Sequence, residues 1–346
     1  MRRRLGAGLD AGILGRYGFS DHEAKATVSL GWERADEVAV RLRAFRDYRD
    51  AGDEAETSRV RNSIAAQEFG SDYTQPFDTR GVAAAVHLGT HAGVRWTLEG
   101  GYEWQQAVDV AARPSQGAYG PTLAAFRGRG PRLALLAERP NGAWWGGTRL
   151  RARAELRVGR LDAWPRATLP ADDSLAPGRY ARLYASAELT RGVGRGEVAL
   201  RIAGGGADAE RSLAPQLLLF AGGPLSGPGY AFHQFQSRAI VSQHLEWRFP
   251  VPFVAIPLGR WGRIPGEARL APYVHAVYSA RGVDGMRRGA GETPPGTSPY
   301  RAGWYPSVGV GVLSLFDLVR LDVARGVRDG RWMFGVDISR DFWSIL

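Results

Sequence analysis

The sequence contains no cysteine, only three methionines and a single lysine, Lys25, among 45 basic residues. Without cysteine the chain can form neither a disulfide nor a thiolate metal site. It also lacks any run of roughly 18 to 20 uncharged apolar residues, the length that a membrane-spanning helix requires. A chain of this composition that crosses a membrane must therefore cross it as strands.

A complete signal peptide is also missing from the start of the sequence. Met1 to Arg4 resembles the basic beginning of a signal peptide, but the residues that follow include Asp10 and Arg16 and form no apolar core or small-residue cleavage site. We therefore expect an exported form of this protein to carry an N-terminal portion that precedes Met1.

The net charge of +10 comes almost entirely from arginine. Proteins that bind nucleic acid usually cluster their basic residues on one face or in one run, whereas here arginine recurs at every second position within apolar segments. We therefore expect no nucleic-acid partner. The 46 glycines and 11 tryptophans are more typical of strands and tight turns than of a helical bundle.

Strict alternation of apolar and polar residues is the strongest pattern in the chain. Residues 149–158 place leucine, alanine and valine on one face and four arginines with Glu155 on the other, and residues 94–105 repeat the arrangement. Successive side chains of a strand point to opposite faces, so each segment predicts a strand with one apolar and one polar face. A soluble β-sandwich would alternate in the same way.

Two features favour a membrane barrel over a sandwich. The alternating segments are about 10 to 14 residues long, which matches tilted strands that cross a bilayer. The ends of their apolar faces carry aromatic residues, as expected for girdles at the two membrane interfaces; these are Trp32, Trp96, Trp104, Trp247, Trp332 and Phe342. The prediction is an all-β protein, a transmembrane antiparallel β-barrel in contact with outer-membrane lipid.

About fourteen strands are predicted, and the connections between them alternate in length. The segments are 3–14, 22–34, 37–49, 77–90, 92–106, 121–137, 144–160, 178–191, 196–207, 234–250, 267–281, 303–315, 317–327 and 330–343. Bacterial barrels have short periplasmic turns and long external loops, which predicts a periplasmic C-terminus. We treat residues 1–346 as one barrel domain.

The run Leu217-Leu-Leu-Phe-Ala-Gly-Gly-Pro-Leu-Ser-Gly-Pro-Gly-Tyr230, followed by His244-Leu-Glu-Trp-Arg-Phe-Pro250, resembles the BamA/TamA outer-membrane assembly and translocation family. The last three predicted strands, with Val308-Gly-Val-Gly-Val312 and Phe334-Gly-Val-Asp-Ile338, resemble the same family. The resemblance covers residues 215–342. It implies that the external loop 208–233 folds back into the barrel lumen.

The resemblance also implies a set of site residues. The loop motif consists of Gly222, Gly223, Gly227, Pro228, Gly229, Tyr230 and Phe232, and its lumen-facing partners would be His244, Glu246, Arg248, Tyr273 and His275. The last strand would carry the signal for membrane insertion in Phe334, Val336, Ile338 and Phe342.

The chain departs from the family at two of these positions. Pro228 stands where the family has a loop-tip arginine, and His275 stands where it has the aspartate that this arginine meets. An arginine in the lumen needs a charge partner, so the two losses are consistent with each other. We expect the loop to pack in the lumen through Tyr230 and Phe232 instead.

Barrels of this family usually have sixteen strands and follow periplasmic domains. In this sequence we count fourteen strands and see no periplasmic domain. Three explanations remain open: two strands and the upstream domains precede Met1, a strand pair lies within 50–76, or the barrel closes with fourteen strands.

A chemical site is conceivable where Ser242, His244 and Glu246 share one strand face with His275 beside them. Two histidines and a carboxylate can bind zinc, but residues that face a barrel lumen are polar in general. We therefore expect no catalysis, metal or cofactor. We expect the luminal arginines to pair across strands with acidic residues; the arginines are Arg149, Arg151, Arg153, Arg157, Arg201 and Arg320, and the acids Glu155, Glu188, Glu197 and Asp322.

Three functions fit the sequence. The first is an outer-membrane barrel that assists protein insertion or translocation, with unfolded outer-membrane proteins and the assembly machinery as partners. The second is a barrel that anchors or exports an attached upstream domain. The third is a diffusion channel, which an open lumen would favour.

Overall fold

A computed structural model describes residues 2–6, 8–18, 23–34, 38–108, 113–164, 176–255, 266–280, 301–315 and 317–338. The first ten strands are β1 (Arg2–Gly6), β2 (Leu9–Gly18), β3 (Glu23–Arg34), β4 (Val38–Asp50), β5 (Pro76–His91), β6 (Val94–Ala107), β7 (Gly128–Ala143), β8 (Thr148–Ala163), β9 (Gly178–Val193) and β10 (Gly196–Ala209). The others are β11 (Leu219–Ala221), β12 (Phe235–Ser237), β13 (Ala239–Pro252), β14 (Glu267–Ser279), β15 (Gly303–Ser314), β16 (Val319–Gly326) and β17 (Trp332–Ile338).

Fifteen of these strands form one antiparallel sheet in which each strand pairs with its neighbours in the chain, β1 to β10 and then β13 to β17. Strands β11 and β12 pair separately as a small hairpin. Within the described ranges no pairing joins β1 to β17. The prediction of an all-β antiparallel barrel fold is confirmed, and we call the fifteen-stranded sheet the wall. Among the described residues no helix is long and apolar enough to cross a membrane.

The apolar face of the wall points outward. Leu156 and Val158 on β8 are 43% and 37% exposed, and Phe334 on β17 is 74% exposed. The alternate residues point inward, where Glu103 and Glu246 are buried. Only a solvent of hydrocarbon makes exposed leucine, valine and phenylalanine favourable over so large a surface, so the outer face is the lipid-facing one.

The connections divide the wall into two ends. At the short-turn end β5 and β6 are joined through Ala92 and Gly93, and β9 and β10 through Gly194 and Arg195. At the long-loop end lie residues 51–75, residues 210–238 and the described parts of the connections that follow β6, β8 and β14. These connections follow the predicted alternation, and the described part of β17 ends at the short-turn end. That the short-turn end faces the periplasm stays a prediction.

Each of the fourteen predicted segments overlaps a strand of the wall, and the first overlaps two; segment 234–250 also includes β12 of the hairpin. Segment 3–14 is divided because the chain reverses between β1 and β2, where Gly6 and Gly8 have φ of 101° and 79°. A Cβ on Gly8 would lie 2.2 Å from the carbonyl oxygen of Glu33, so only glycine fits this turn. The wall therefore has one short strand more than predicted.

The explanation that a strand pair lies within 50–76 is wrong, because the segment contains helix α1 (Arg59–Phe69). The Ser58 side chain caps the helix by accepting a hydrogen bond from the Arg61 amide at 3.3 Å, and Gly70 ends it with φ of 67°. Ser58 and Gly70 are the residue types that begin and end a helix, and they enclose eleven residues that show no alternation of apolar and polar side chains.

Candidate functional site in the lumen

Loop 210–238 leaves the long-loop end and turns into the lumen, as predicted. Its hairpin β11–β12 carries a tip, residues 222–234, that packs on the inner face of β14 to β16. Tyr230 is buried, its hydroxyl donates to the carbonyl oxygen of Pro306 at 2.7 Å, and its ring lies 5.9 Å from that of Tyr305. Buried aromatic rings and one satisfied hydroxyl therefore hold the tip against the wall.

The glycines of the motif allow the tip to approach its surroundings closely. Gly229 has φ of 90°, and a Cβ there would lie 2.3 Å from the amide nitrogen of Gly326 at the end of β16. Gly223 has φ of 118° and faces the carboxylate of Glu56. Gly222, at φ 108°, touches Gly227 across the turn. The glycine-rich sequence thus permits backbone-to-backbone packing that any side chain would prevent.

His275 contacts the loop tip two residues before Pro228, which is fully buried. His275 on β14 is 3% exposed, and its Nε2 lies 3.0 Å from the carbonyl oxygen of Ser226. Because a carbonyl oxygen only accepts, the imidazole donates to it, and this hydrogen bond fixes the tip to β14.

Glu56, which sequence analysis did not identify, holds the same tip from the opposite side. One carboxylate oxygen accepts the backbone amides of Leu225 at 2.8 Å and Ser226 at 3.0 Å, and the other accepts the Ser226 hydroxyl. Glu56 is 4% exposed. Hydrogen bonds to a carboxylate are among the strong ones, and three of them converge on a single turn of the loop.

Glu56 belongs to residues 51–75, which we call the plug segment because it too occupies the lumen. Asp53 pairs with Arg182 on β9 at 2.6 Å. Glu54 pairs with Arg201 on β10 and accepts from the Tyr184 hydroxyl at 2.8 Å. Three acidic residues within four positions thus face a lumen rich in arginine. That charge complementarity was the sequence signal that could have placed this external connection inside the barrel.

The plug segment also reaches the last strand. The backbone amide of Ser58 lies 3.3 Å and 3.4 Å from the two carboxylate oxygens of Asp337 on β17. Helix α1 then passes the inner face of β17, and its far end contacts the connection between β6 and β7 through the Ser115 amide and the Gln67 carbonyl, 2.8 Å apart. The segment therefore crosses the lumen from β17 to the long loops.

The predicted partner residues of β13 and β14 form an ion-pair network instead of a chemical site. Glu246 is 1% exposed; it accepts Arg320 at 3.0 Å and 2.6 Å and also pairs with Arg248. His244 lies 3.3 Å from both Glu246 and His275, and its ring is 4.8 Å from that of Tyr273. Two guanidinium groups neutralise the carboxylate, which leaves it a poor ligand for a cation. Over the described ranges no group of three or more His, Asp or Glu residues is arranged to hold a metal ion.

The expected arginine pairs form only in part across strands. Arg149 pairs with Glu197 two strands away, and Arg153 pairs with Glu155 of its own strand at 3.1 Å. Arg320 pairs both with Asp322 of its own strand at 2.7 Å and with Glu246 of β13 at 2.6 Å. Arg201 pairs with the plug segment rather than with the wall. Alternation predicts which face an arginine occupies, whereas its partner depends on what fills the lumen.

An apolar cluster and a cavity divide the lumen along its length. At the long-loop end apolar residues pack into one cluster that includes Phe77, Leu123, Leu161, Leu217 and Leu218. Towards the short-turn end lies a cavity of about 710 Å³, whose lining includes Glu56, Leu225, Arg151, Glu246, Arg320 and Asp337. Loop 210–238 and the plug segment separate the two regions.

Phe232 and His233 complete the loop. Phe232 stacks on His233 with ring centroids 3.8 Å apart and meets Tyr73 of the plug segment at 5.5 Å. Burial lowers the pKa of His233 to about 3, so the ring is neutral near pH 7. The aromatic contact joins loop and plug segment at a second place.

The last strand shows the predicted lipid face at two of its four positions. Phe334 and Val336 point outward and are 74% and 57% exposed, and Ile338 is half-buried. Phe342 lies outside the described residues. That this strand is read as an insertion signal stays a prediction.

A fifteen-stranded antiparallel wall, an apolar outer face and a loop folded into a charged lumen together define the class: this is an outer-membrane β-barrel fold of the BamA type. BamA from Haemophilus ducreyi, in a form lacking POTRA domains 1–3, superposes on 96% of the chain with a TM-score of 0.56 and 13% identity. CdiB from Acinetobacter baumannii superposes on 95% with a TM-score of 0.46 and 11% identity.

The chain spans 63% of that BamA chain and 53% of that CdiB chain. No protein-family model matches the sequence, and no curated protein matches it. The likeness to BamA therefore concerns the fold.

Proposed function

We propose that this barrel assists the insertion or translocation of other proteins at the bacterial outer membrane, with its short-turn end and C-terminus in the periplasm. Its partners would be outer-membrane lipid and unfolded outer-membrane polypeptides delivered by the assembly machinery, and it would act without catalysis, metal or cofactor. The alternative of an open diffusion channel is less compatible with a lumen that two packed segments occupy.

The observation that supports the proposal is the unequal length of the strands. Strands β5 to β10 are 14 to 16 residues long, whereas β16 has 8 residues and the described part of β17 has 7. Because each residue of a ladder adds hydrogen bonds and packing, we expect β16 and β17, which we call the terminal strands, to open at a lower free energy than the long strands. A strand edge that opens offers unpaired backbone groups to an incoming strand.

Reconstitution tests the proposal directly. The chain is inserted into phospholipid vesicles, a denatured small outer-membrane barrel is added, and the rate at which it folds is compared with that in empty vesicles. We expect several-fold faster folding in the presence of the chain. An unchanged rate would contradict the proposal.

The site of entry is tested by cysteine cross-linking, which has no background because the chain contains no cysteine. Val336→Cys places a thiol on the outer face of β17, and Leu183→Cys places a matched thiol on the outer face of β9. A folding substrate with one cysteine should cross-link to the first and not to the second. Equal cross-linking at both positions would mean that the substrate does not enter at the terminal strands.

A further inference from the structure

The plug segment touches two elements through residues only two positions apart. Glu56 binds the luminal tip through the Leu225 and Ser226 amides, and Ser58 binds the last strand through Asp337. Both Glu56 and Ser58 are buried, at 4% and 5% exposure. The chain between them is too short to allow one contact to move far while the other stays in place.

The two contacts are also built differently from the rest of the plug segment. Asp53 and Glu54 bind Arg182 and Arg201 on the long strands β9 and β10, so they anchor the segment to the most extended part of the wall. Glu56 and Ser58, in contrast, bind the tip of a loop and the short strand β17. The segment is thus fixed at one end and joins two less extensively paired elements at the other.

We propose that the plug segment couples the luminal loop to the last strand, so that loosening either one loosens the other. The coupling runs from the loop amides through the Glu56 carboxylate, along residues 56–58, to the Asp337 carboxylate. While the tip is bound to Glu56, two interactions restrain β17: its pairing with β16 and the contact of Asp337 with Ser58 in the lumen. Release of the tip removes that second restraint.

This proposal does not depend on the proposed function, since it concerns the resting barrel without substrate. A direct route between the loop and the terminal strands also exists, through Tyr230 with Pro306 and Gly229 with Gly326. Any test must therefore distinguish coupling through the plug segment from coupling through β15 and β16.

Hydrogen exchange, followed by mass spectrometry on the purified chain in detergent, measures the exchange rates of the loop tip and of β17 separately. Glu56→Gln leaves the size of the side chain unchanged but removes the negative charge and leaves one acceptor oxygen where the carboxylate has two. We expect exchange to accelerate about tenfold to a hundredfold at residues 222–230, the range that the loss of hydrogen bonds to a charged group predicts. The same variant should accelerate exchange at residues 332–338, which Glu56 does not contact.

Coupling must be reciprocal, and this supplies the second arm. Asp337→Ala removes the acceptor for the Ser58 amide and should accelerate exchange at residues 222–230. In the double variant the second substitution should add little at either element, because the path is already broken. Glu188→Gln, a carboxyl group lining the same cavity, is the matched control and should change neither element.

Three results would overturn the proposal: acceleration at 222–230 but not at 332–338 in Glu56→Gln, no effect of Asp337→Ala on 222–230, or additive effects in the double variant. The last result would assign the coupling to the direct route. If Glu56→Gln fails to fold, Ser226→Ala removes the hydroxyl that donates to Glu56 and accepts the Gly222 amide at 3.0 Å, and leaves the two amide bonds to Glu56 in place. It should give the same pattern at smaller amplitude, and exchange unchanged at 332–338 in that variant would equally overturn the proposal.

Discussion

The long strands β5 to β10 and the terminal strands β16 and β17 are parts of one sheet, but different interactions keep them in place. The long strands have 14 to 16 residues each, and their inner face carries a buried network in which Glu103 binds Arg49 and Arg132. Strands β16 and β17 pair with each other over seven positions and have further contacts from the lumen: Arg320 with Glu246, Gly229 on Gly326, and Ser58 on Asp337.

The difference indicates that stability in this barrel is graded around the wall. The long strands have extensive backbone pairing and a buried ion-pair network of their own, whereas the terminal strands are shorter and are also contacted by segments that enter from the long-loop end. Elements that open at low free energy are those with few buried contacts of their own. Substitutions in the two regions should therefore have different consequences.

The largest effect should follow from Glu103→Ala in the long-strand region. Glu103 is 2% exposed and accepts Arg49 at 2.8 Å and Arg132 at 2.6 Å. Its removal takes this partner from Arg49 and leaves the buried guanidinium of Arg132 with Glu99 alone. We expect a loss of about 3 to 5 kcal/mol in the free energy of unfolding, measured by urea titration in lipid vesicles.

The control for Glu103→Ala is Asp317→Ala at the short-turn end near the terminal strands. Asp317 pairs with Arg269 at 3.3 Å, and both side chains are almost half exposed. An exposed pair of this kind should contribute less than about 1 kcal/mol. Similar losses in the two variants would mean that burial does not distinguish the two regions.

An intermediate effect should follow from a charge on the lipid face of the long strands. Leu156→Arg places a guanidinium near the middle of β8 and should cost about 2 to 4 kcal/mol in unfolding free energy, whereas Leu150→Arg, near the short-turn end of the same strand, should cost about 0 to 1 kcal/mol. Equal costs at the two depths would contradict a bilayer-facing surface on β8.

The smallest change in the free energy of unfolding should come from Gly229→Ala at the terminal strands. Its effect should also be confined to the fewest residues. The added methyl group meets the Gly326 amide, and the backbone holds a φ that alanine disfavours, so we expect a cost of about 1 to 3 kcal/mol. Hydrogen exchange should accelerate at residues 319–326 and remain unchanged in β9 and β10. Gly120→Ala, whose Cβ meets nothing within 4 Å, is the control.

Faster hydrogen exchange spread evenly over the wall in Gly229→Ala would contradict the difference between the long and the terminal strands. It would show that the terminal strands do not depend on the loop more than the long strands do. Acceleration confined to residues 222–230 would show that the loop leaves β16 without affecting it.

Much of this architecture is visible in the sequence because alternation has a local cause. Arg149 to Val158 places charge and leucine on opposite faces whatever the strand is paired with, and the same holds for Val94 to Trp104. The glycines of the 222–229 motif predict the close packing of the loop tip, since positive φ and backbone contact demand glycine. The plug segment shows no such pattern, and its position in the lumen was not predicted.

What the sequence alone determined is therefore the set of strands, the face each one turns to lipid, and the entry of loop 210–238 into the lumen. Only the tertiary structure decided which charges meet. Glu56 with the loop amides, Glu54 with Arg201 and Ser58 with Asp337 join residues far apart in the chain, and a carboxylate carries no local mark of its distant partner. Pairing of that kind follows from the shape of the filled lumen, which forms only when the wall and both inserted segments are in place.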